Sequence, residues 1–187
     1  MLSSDILQFL YELSQNNNKD WFNKNKDRYE SSVKKPFEAF VGDLIGRIGQ
    51  FEPGFQTTAK ESVFRIHRDT RFSSDKTPYK THLSAVFTSR GRKTMHEPGY
   101  YFQLSFGSLS LGGGAYFLDK EPLAKVRQAI AGDAQNFRRL IGAAAFADRF
   151  GEIQGEKNKI LPPELREAAA SEPLLFNKQF YFMTDLD

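Results

Sequence analysis

The spacing of apolar residues changes twice along the chain, and this change restricts the fold to a mixture of helices and strands. Between Tyr29 and Ile48 apolar residues recur every three or four positions, which is typical of one buried helix face. Tyr100–Phe106 alternates instead, which indicates a strand with one face against the core. Helical spacing returns after Asp119. We therefore predict an α+β fold, with N-terminal helices, a central and mostly antiparallel sheet and C-terminal helices, in one domain over residues 1–187.

Several residues mark where individual helices begin or are interrupted. Asn18 is a suitable cap for the second helix, which follows a shorter first helix over Ile6–Leu13. Pro36 lies inside the helical pattern and either kinks one long helix or begins a new one. Asp119 is the predicted cap of a helix that continues to Ala131. Four further segments have strand character: Ser62–His67, Leu83–Ser89, Leu109–Leu111 and Phe180–Met183.

The glycine run Gly112–Gly114 has two interpretations. Three glycines allow a backbone to approach a ligand closely, as in a nucleotide-binding loop. The run lacks the Lys-Ser or Lys-Thr pair that such a loop requires. A bulge or bend within a strand is therefore the favoured interpretation.

The composition excludes several classes of protein. The chain has no cysteine, so disulfides, thiol catalysis and cysteine-based metal sites are excluded. Hydrophobic residues make up 40% of the 187 residues, which is sufficient for a packed core and argues against disorder. The apolar runs are too short to cross a membrane, and the first residues lack the pattern of a signal peptide. We therefore expect a cytoplasmic protein with no membrane association and no bound cofactor.

Positive charge is concentrated in the stretch Arg65–His82, although the net charge of the whole chain is only +3. Two aspartates in this stretch oppose three arginines and two lysines. Arginine presents a planar fork that matches phosphate or carboxylate oxygens, and loops on a rigid sheet commonly carry binding residues. We therefore predict a site for an anionic small molecule, with phosphate as the favoured group. The candidate ligand-binding residues are Arg65, Arg68, Asp69, Arg71, Asp75, Lys76, Tyr79 and Lys80.

Two histidines in the same stretch are candidate catalytic residues. Histidine titrates near neutrality, so His67 and His82 placed across a phosphate could act as general acid and base in phosphoester cleavage. The alternative is that one or both only form hydrogen bonds with nearby backbone. A metal site built from His67, Asp69 and His82 is disfavoured, because the surrounding arginines and lysines repel a cation.

Three functions are compatible with these residues. The first is an enzyme acting on an anionic small molecule, for example a hydrolase of phosphoesters. The second is a module that binds nucleic acid or a partner protein through the same charges. In the third, Asp69 and Asp75 pair with the arginines and form a charged clasp, and this pairing is the favoured interpretation for the two aspartates. A clasp predicts that Arg68→Ala lowers the Tm strongly, whereas a ligand site predicts a neutral or higher Tm.

Four parts of the chain together resemble the signature of the DUF2461 family, a widespread bacterial family without an established activity. They are R-I-H-R-D-T-R-F-S-S-D-K-T-P-Y-K-T-H (Arg65–His82), N-N-N-K-D-W-F-N-K-N-K-D-R-Y-E (Asn16–Glu30), G-Y-Y-F-Q-L (Gly99–Leu104), and G-G-G-A-Y (Gly112–Tyr116) followed by V-R-Q-A-I (Val126–Ile130). The resemblance covers nearly the whole chain and implies no particular reaction. Members of the family continue with a helical segment after the position of Phe180–Met183. Without that segment, part of the sheet or core is expected to be left for a partner or a second copy.

Overall fold

A computed structural model describes residues 2–186 of the chain. It contains a four-stranded antiparallel sheet in which each strand pairs with the next along the chain. The strands are β1 (His82–Phe87), β2 (Gly99–Ser105), β3 (Ser108–Ala115) and β4 (Phe180–Leu186). The turn between β2 and β3 contains Gly107, whose φ of +85° suits a glycine. The predicted α+β order of helices, sheet and helices is confirmed.

Helices lie before the first strand of the sheet and between its last two strands. Those before it are α1 (Ser4–Gln15), α2 (Lys19–Lys24), α3 (Lys26–Arg28), a π-helical turn (Tyr29–Lys34), α4 (Lys35–Ile48) and α5 (Ala59–Ser62). A 3₁₀ turn, Gly91–Thr94, separates β1 from β2. Between β3 and β4 lie α6 (Lys120–Gly132), α7 (Ala134–Ile141), α8 (Ala144–Phe150) and α9 (Arg166–Ser171), with 3₁₀ turns at Pro163–Leu165 and Pro173–Phe176. Within residues 2–186, no helix is long and apolar enough to cross a membrane.

A π-helical turn leads directly into α4 just before Pro36. Lys35 donates its backbone N–H to the Glu30 carbonyl five residues earlier, which is the hydrogen bond of a π-helical turn. Pro36 then lies in the first turn of α4, where its missing N–H costs little. Pro36 therefore lies at the beginning of a helix, close to one of the two sequence-based alternatives, and a wider helical turn directly precedes it.

The structure divides into two compact units. The first contains the described residues up to Thr94, together with Tyr101–Leu111 and the described residues from Asp185 onward. The second contains Met95–Tyr100 and Gly112–Thr184. Two compact units can belong to one domain or to two, so the organisation as one domain stays a prediction.

Each unit has an apolar core of its own. In the first, α1 buries Phe9 and Leu10 while β2 buries Phe102 and Leu104, the residues that the alternation placed on one face. Burial of such a side chain stabilises the fold by roughly 1.5–3 kcal/mol. In the second unit the buried residues are Ile130, Leu161, Leu165, Ala169, Leu175 and Phe180.

An ion-pair network fixes α1 against the helical segment that follows it. The Arg28 guanidinium donates to Asp5 Oδ1 at 2.7 Å and to Glu12 Oε2 at 2.6 Å. The same guanidinium carbon lies 5.5 Å from the centroid of the buried Phe9 ring. Hydrogen bonds from Arg28 lower the pKa of both carboxyl groups. The end of α1, which borders the hollow described below, is therefore held by charged as well as apolar contacts.

The prediction of a strand over Ser62–His67 is wrong in part. Ser62 ends α5, which begins after Thr58 because the Thr58 hydroxyl accepts a hydrogen bond from the Glu61 N–H at 3.3 Å. The remaining residues pair with their neighbours only through isolated bridges, Val63 with Ala85 and His67 with Tyr79. The alternation in this segment therefore corresponds to short antiparallel contacts. The capped helix α5 and the following turn take the place of a continuous strand.

The run Gly112–Gly114 lies within β3, as the strand interpretation predicted. A Cβ added to Gly112 would lie 2.7 Å from the Phe182 carbonyl oxygen in β4. Gly114 has a φ of +113°, and a Cβ there would lie 2.7 Å from the Tyr181 Cα. The glycines are therefore needed for the close approach of the two strands.

Candidate anion-binding site

A hollow of about 540 Å³ lies in the first unit, beside the start of β1. Most of its lining comes from the charged stretch: Arg68, Asp69, Asp75, Thr77, Tyr79, Lys80, Thr81 and His82. Ser14 at the end of α1 and Asn17 before α2 complete the wall. Thus six of the sequence-predicted ligand or catalytic residues border one space: Arg68, Asp69, Asp75, Tyr79, Lys80 and His82.

Backbone hydrogen bonds fix the two cations of this wall. The Arg68 N–H donates to the Pro78 carbonyl at 2.9 Å, and the Lys80 N–H donates to the Ile66 carbonyl at 2.8 Å. Ile66 is buried in the core of the first unit, so this pairing is anchored on its apolar side. The antiparallel arrangement brings together two cations that are twelve positions apart in the chain.

Asn17 connects the N-terminal helices to the hollow. Its Nδ2 donates to the Tyr79 carbonyl at 2.9 Å, and its Oδ1 accepts from the Tyr79 N–H at 3.1 Å. The Asn17 amide thus forms the two hydrogen bonds with the Tyr79 backbone that a peptide group of a paired strand would form. It can do so because it carries a donor and an acceptor side by side. The Tyr79 ring stacks on Phe22 with centroids 4.0 Å apart. No pattern in the sequence predicted this contact, because it joins residues 62 positions apart.

Both aspartates of the stretch are engaged in ion pairs. Arg71 donates from Nε to Asp69 Oδ1 at 2.9 Å and from Nη2 to Asp69 Oδ2 at 2.7 Å. Arg68 Nη1 bonds Asp75 Oδ2 and the Thr77 hydroxyl. Side-chain hydrogen bonds from these arginines lower the pKa of each aspartate to about 2. The predicted pairing of both aspartates with arginines is confirmed, whereas their role in fixing the loop stays a prediction.

Three of the five predicted cations do not border the hollow. Arg71 is turned outward onto Asp69, with 77% of its side chain exposed. Lys76 donates from Nζ to the Thr70 carbonyl at 2.9 Å, inside the loop. Arg65 is exposed and has no ion pair with any residue that the structure describes. The cationic lining therefore consists of Arg68 and Lys80, with His82 beside them.

Lys80 is the cation of the hollow without a carboxylate partner in residues 2–186. Its side chain is half-buried, and Nζ lies 5.0 Å from the centroid of the Phe64 ring. Burial lowers the pKa of Lys80, and the positive charges of Arg65 and Arg92 lower it further. An anion placed here would compensate both the desolvation and the repulsion.

The two histidines occupy different surroundings. His82 borders the hollow, and burial lowers its pKa, with the charges of Lys80 and Arg68 acting in the same direction. His67 is exposed and does not border the hollow. Its ring packs against Tyr79 at 5.2 Å and Phe22 at 6.0 Å. The structure therefore places one of the two predicted catalytic histidines next to the cations and leaves the other outside.

Metal ligation has little support from the side chains. Over residues 2–186, no group of three or more His, Asp or Glu side chains is arranged to hold a metal ion. Asp69, one member of the disfavoured His67–Asp69–His82 set, is occupied by Arg71.

Fold and sequence together define an α+β protein in which the stretch Arg65–His82 contributes most of the lining of one hollow. The chain belongs to the DUF2461 family, described as a conserved hypothetical protein, whose family model matches residues 5–187. No curated protein and no solved structure matches it significantly.

Proposed function

We propose that the protein binds a phosphate-bearing or other anionic small molecule in the hollow bordered by Arg68, Lys80 and His82. The observation that carries this proposal is the half-buried Lys80, which has cationic neighbours and no carboxylate partner among the described residues. Removing an ammonium group from water is costly unless a counter-charge compensates it. An anionic ligand would supply that counter-charge.

The neighbouring groups offer further hydrogen bonds to such a ligand. Arg68 uses Nη1 for Asp75 and Thr77, whereas its Nη2 has only a 3.5 Å contact with Ser73. Arg68 Nη2 can therefore donate a hydrogen bond to an anion while Nη1 keeps its contacts with Asp75 and Thr77. A hydrogen bond to a charged group contributes about 1.5–3 kcal/mol.

The proposed ligand class includes phosphoesters, and His82 is the group that could assist their cleavage. Its lowered pKa favours the neutral imidazole near pH 7, which can accept a proton from an attacking water. Of the two candidate catalytic histidines, the proposal retains His82, since His67 does not border the hollow. Cytoplasmic location stays a prediction.

Lys80→Met tests the binding proposal directly. We expect isothermal titration calorimetry with inorganic phosphate and pyrophosphate to show at least about tenfold weaker binding in this variant, since a charge-assisted bond of this kind contributes roughly 1.5–3 kcal/mol. Lys76→Met is the matched control, because Lys76 belongs to the same stretch but does not border the hollow. Equal binding by wild type and Lys80→Met would contradict the proposal.

One observation favours the alternative, a nucleic-acid-binding module. Phe72 is 95% exposed in the loop, and the Arg71 guanidinium carbon lies 5.7 Å from its ring centroid. An exposed ring with an adjacent arginine can stack on an unpaired base. Fluorescence anisotropy with a single-stranded oligonucleotide at several salt concentrations distinguishes the two functions. Binding that weakens steeply with salt and is lost in Phe72→Ala, but not in Lys80→Met, would support the alternative.

A further inference from the structure

Lys80 differs from the lysines that form ion pairs elsewhere in the molecule. Lys34, Lys93 and Lys125 each lie 2.8 Å from a glutamate oxygen, and such a partner stabilises the protonated ammonium. Lys80 has no partner of this kind in residues 2–186, and it borders a hollow large enough for a small molecule. Lys80 is thus partly removed from water and borders a space that can hold a ligand.

The charged groups around Lys80 act mainly against its protonated form. Arg65 and Arg92 repel the ammonium, and burial is the largest effect that lowers its pKa. The carboxylates at the hollow, Asp69 and Asp75, are each bound by an arginine. The Phe64 ring has the opposite effect, because the face of an aromatic ring attracts a cation and Nζ lies 5.0 Å from the ring centroid.

Burial and neighbouring cations are the conditions under which a lysine becomes a nucleophile, because only the neutral amine carries a free electron pair. We propose that Lys80 is a nucleophilic amine that forms a Schiff base with an aldehyde or ketone group of the anionic ligand. This inference rests on the proposed function, since Arg68 would hold the anionic part of the ligand beside the amine.

The reaction is balanced without an oxidant or a reductant. The neutral Nζ attacks the carbonyl carbon, a C–N bond forms, and the carbonyl oxygen takes up a proton to give a carbinolamine. The C–O bond then breaks, the oxygen leaves as water, and the nitrogen loses its remaining proton to leave the C=N bond. His82, which borders the same hollow, is placed to accept and return protons.

Labelling with an aldehyde tests the inference on the full chain. Pyridoxal 5′-phosphate carries both a phosphate and an aldehyde, and sodium borohydride converts its Schiff base into a stable secondary amine. We expect peptide mass spectrometry to show faster labelling of Lys80 than of Lys76 and Lys34, because a lowered pKa leaves more of the Lys80 amine in the neutral form at a given pH. Equal rates at the three lysines would overturn the inference.

Two further measurements separate this inference from the anion-binding proposal. Inorganic phosphate is expected to slow labelling of Lys80 but not of Lys76. If pyridoxal, which lacks the phosphate, labels Lys80 as selectively and phosphate gives no protection, the nucleophile is supported and the anion site is not. If phosphate binding depends on Lys80 but labelling shows no preference for it, the anion site is supported and the nucleophile is overturned.

His82→Gln provides a readout that a purely structural role would not change. We expect it to slow formation of the borohydride-stable adduct and to alter the pH profile of labelling, while Lys76 reacts at an unchanged rate. An unchanged profile at Lys80 would overturn the assignment of His82 to proton transfer.

Discussion

At the scale of single residues, Arg68 combines two roles that the sequence presented as alternatives. It borders the hollow, and it also holds both Asp75 and Thr77 at the base of the loop. Asp75 reinforces this contact by accepting the Thr77 N–H at 2.9 Å. The clasp and the proposed ligand site therefore share a side chain, 27% of which is exposed to solvent.

Arg68→Ala is expected to lower the Tm by only a few degrees and to weaken phosphate binding. The loss of stability is small because partly exposed ion pairs contribute little, and because removing Arg68 relieves its repulsion of His82. Differential scanning fluorimetry with and without phosphate measures both effects. Arg71→Ala is the control for stability, since it also removes an arginine–aspartate pair and Arg71 does not itself border the hollow. A strong fall in Tm with unchanged phosphate binding would favour a purely structural clasp.

At the scale of elements, the hollow depends on a joint between the N-terminal helices and the segment that leads into β1. That joint consists of the two hydrogen bonds of Asn17 with the Tyr79 backbone and the stacking of Tyr79 on Phe22. Helix packing and site geometry are therefore coupled through residues far apart in sequence.

Asn17→Ala is expected to destabilise the protein by about 1–3 kcal/mol, the cost of leaving part-buried polar groups without partners. Urea denaturation measures this loss, and hydrogen exchange should show faster exchange of the Tyr79 amide. Asn23→Ala, at an exposed position of α2, is the matched control and should change stability little. If the Tyr79 amide exchanged at the wild-type rate in Asn17→Ala, the Asn17 side chain would not protect it, and the proposed connection between the helices and this segment would be wrong.

At the scale of the whole molecule, stability should fall in two steps as the pH is lowered. The folded-state pKa of His82 lies below the ordinary 6.5, so the unfolded chain binds the proton first and stability declines below about pH 6.5. Asp69 and Asp75 have pKa values of about 2 against an ordinary 3.8. Their contribution is present above pH 3.8 and is lost between there and about pH 2.

Thermal unfolding at a series of pH values measures both steps. His82→Gln should flatten the curve near pH 6, and Asp75→Asn should reduce the slope between pH 4 and 2. If the change of Tm with pH near pH 6 were the same in His82→Gln as in the wild type, the lowered pKa of His82 would not be the cause of the pH dependence in that range.

Much of the architecture could be predicted because it depends on local order along the chain. The helices within Tyr29–Ile48 and the strands near Tyr100–Phe106 and Phe180–Met183 were confirmed. On the predicted inner face of β2, Phe102 and Leu104 are buried, whereas Tyr100 is exposed. The partial error at Ser62–His67 arose where a capped helical turn and isolated bridges replaced a strand. Alternation alone does not distinguish a continuous ladder from short antiparallel contacts.

The sequence by itself determined the α+β class, the family and the segment in which charge is concentrated, because composition, periodicity and motif spacing are properties of neighbouring residues. Only the tertiary structure decided which charges meet. In the structure Arg71 pairs with Asp69, and Arg68 pairs with Asp75. His82 borders the same hollow as Lys80, whereas His67 does not. Asn17 forms a hydrogen bond with Tyr79. The reason is physical: whether a charge is compensated depends on distances through space and on burial, and neither follows from the order of residues along the chain.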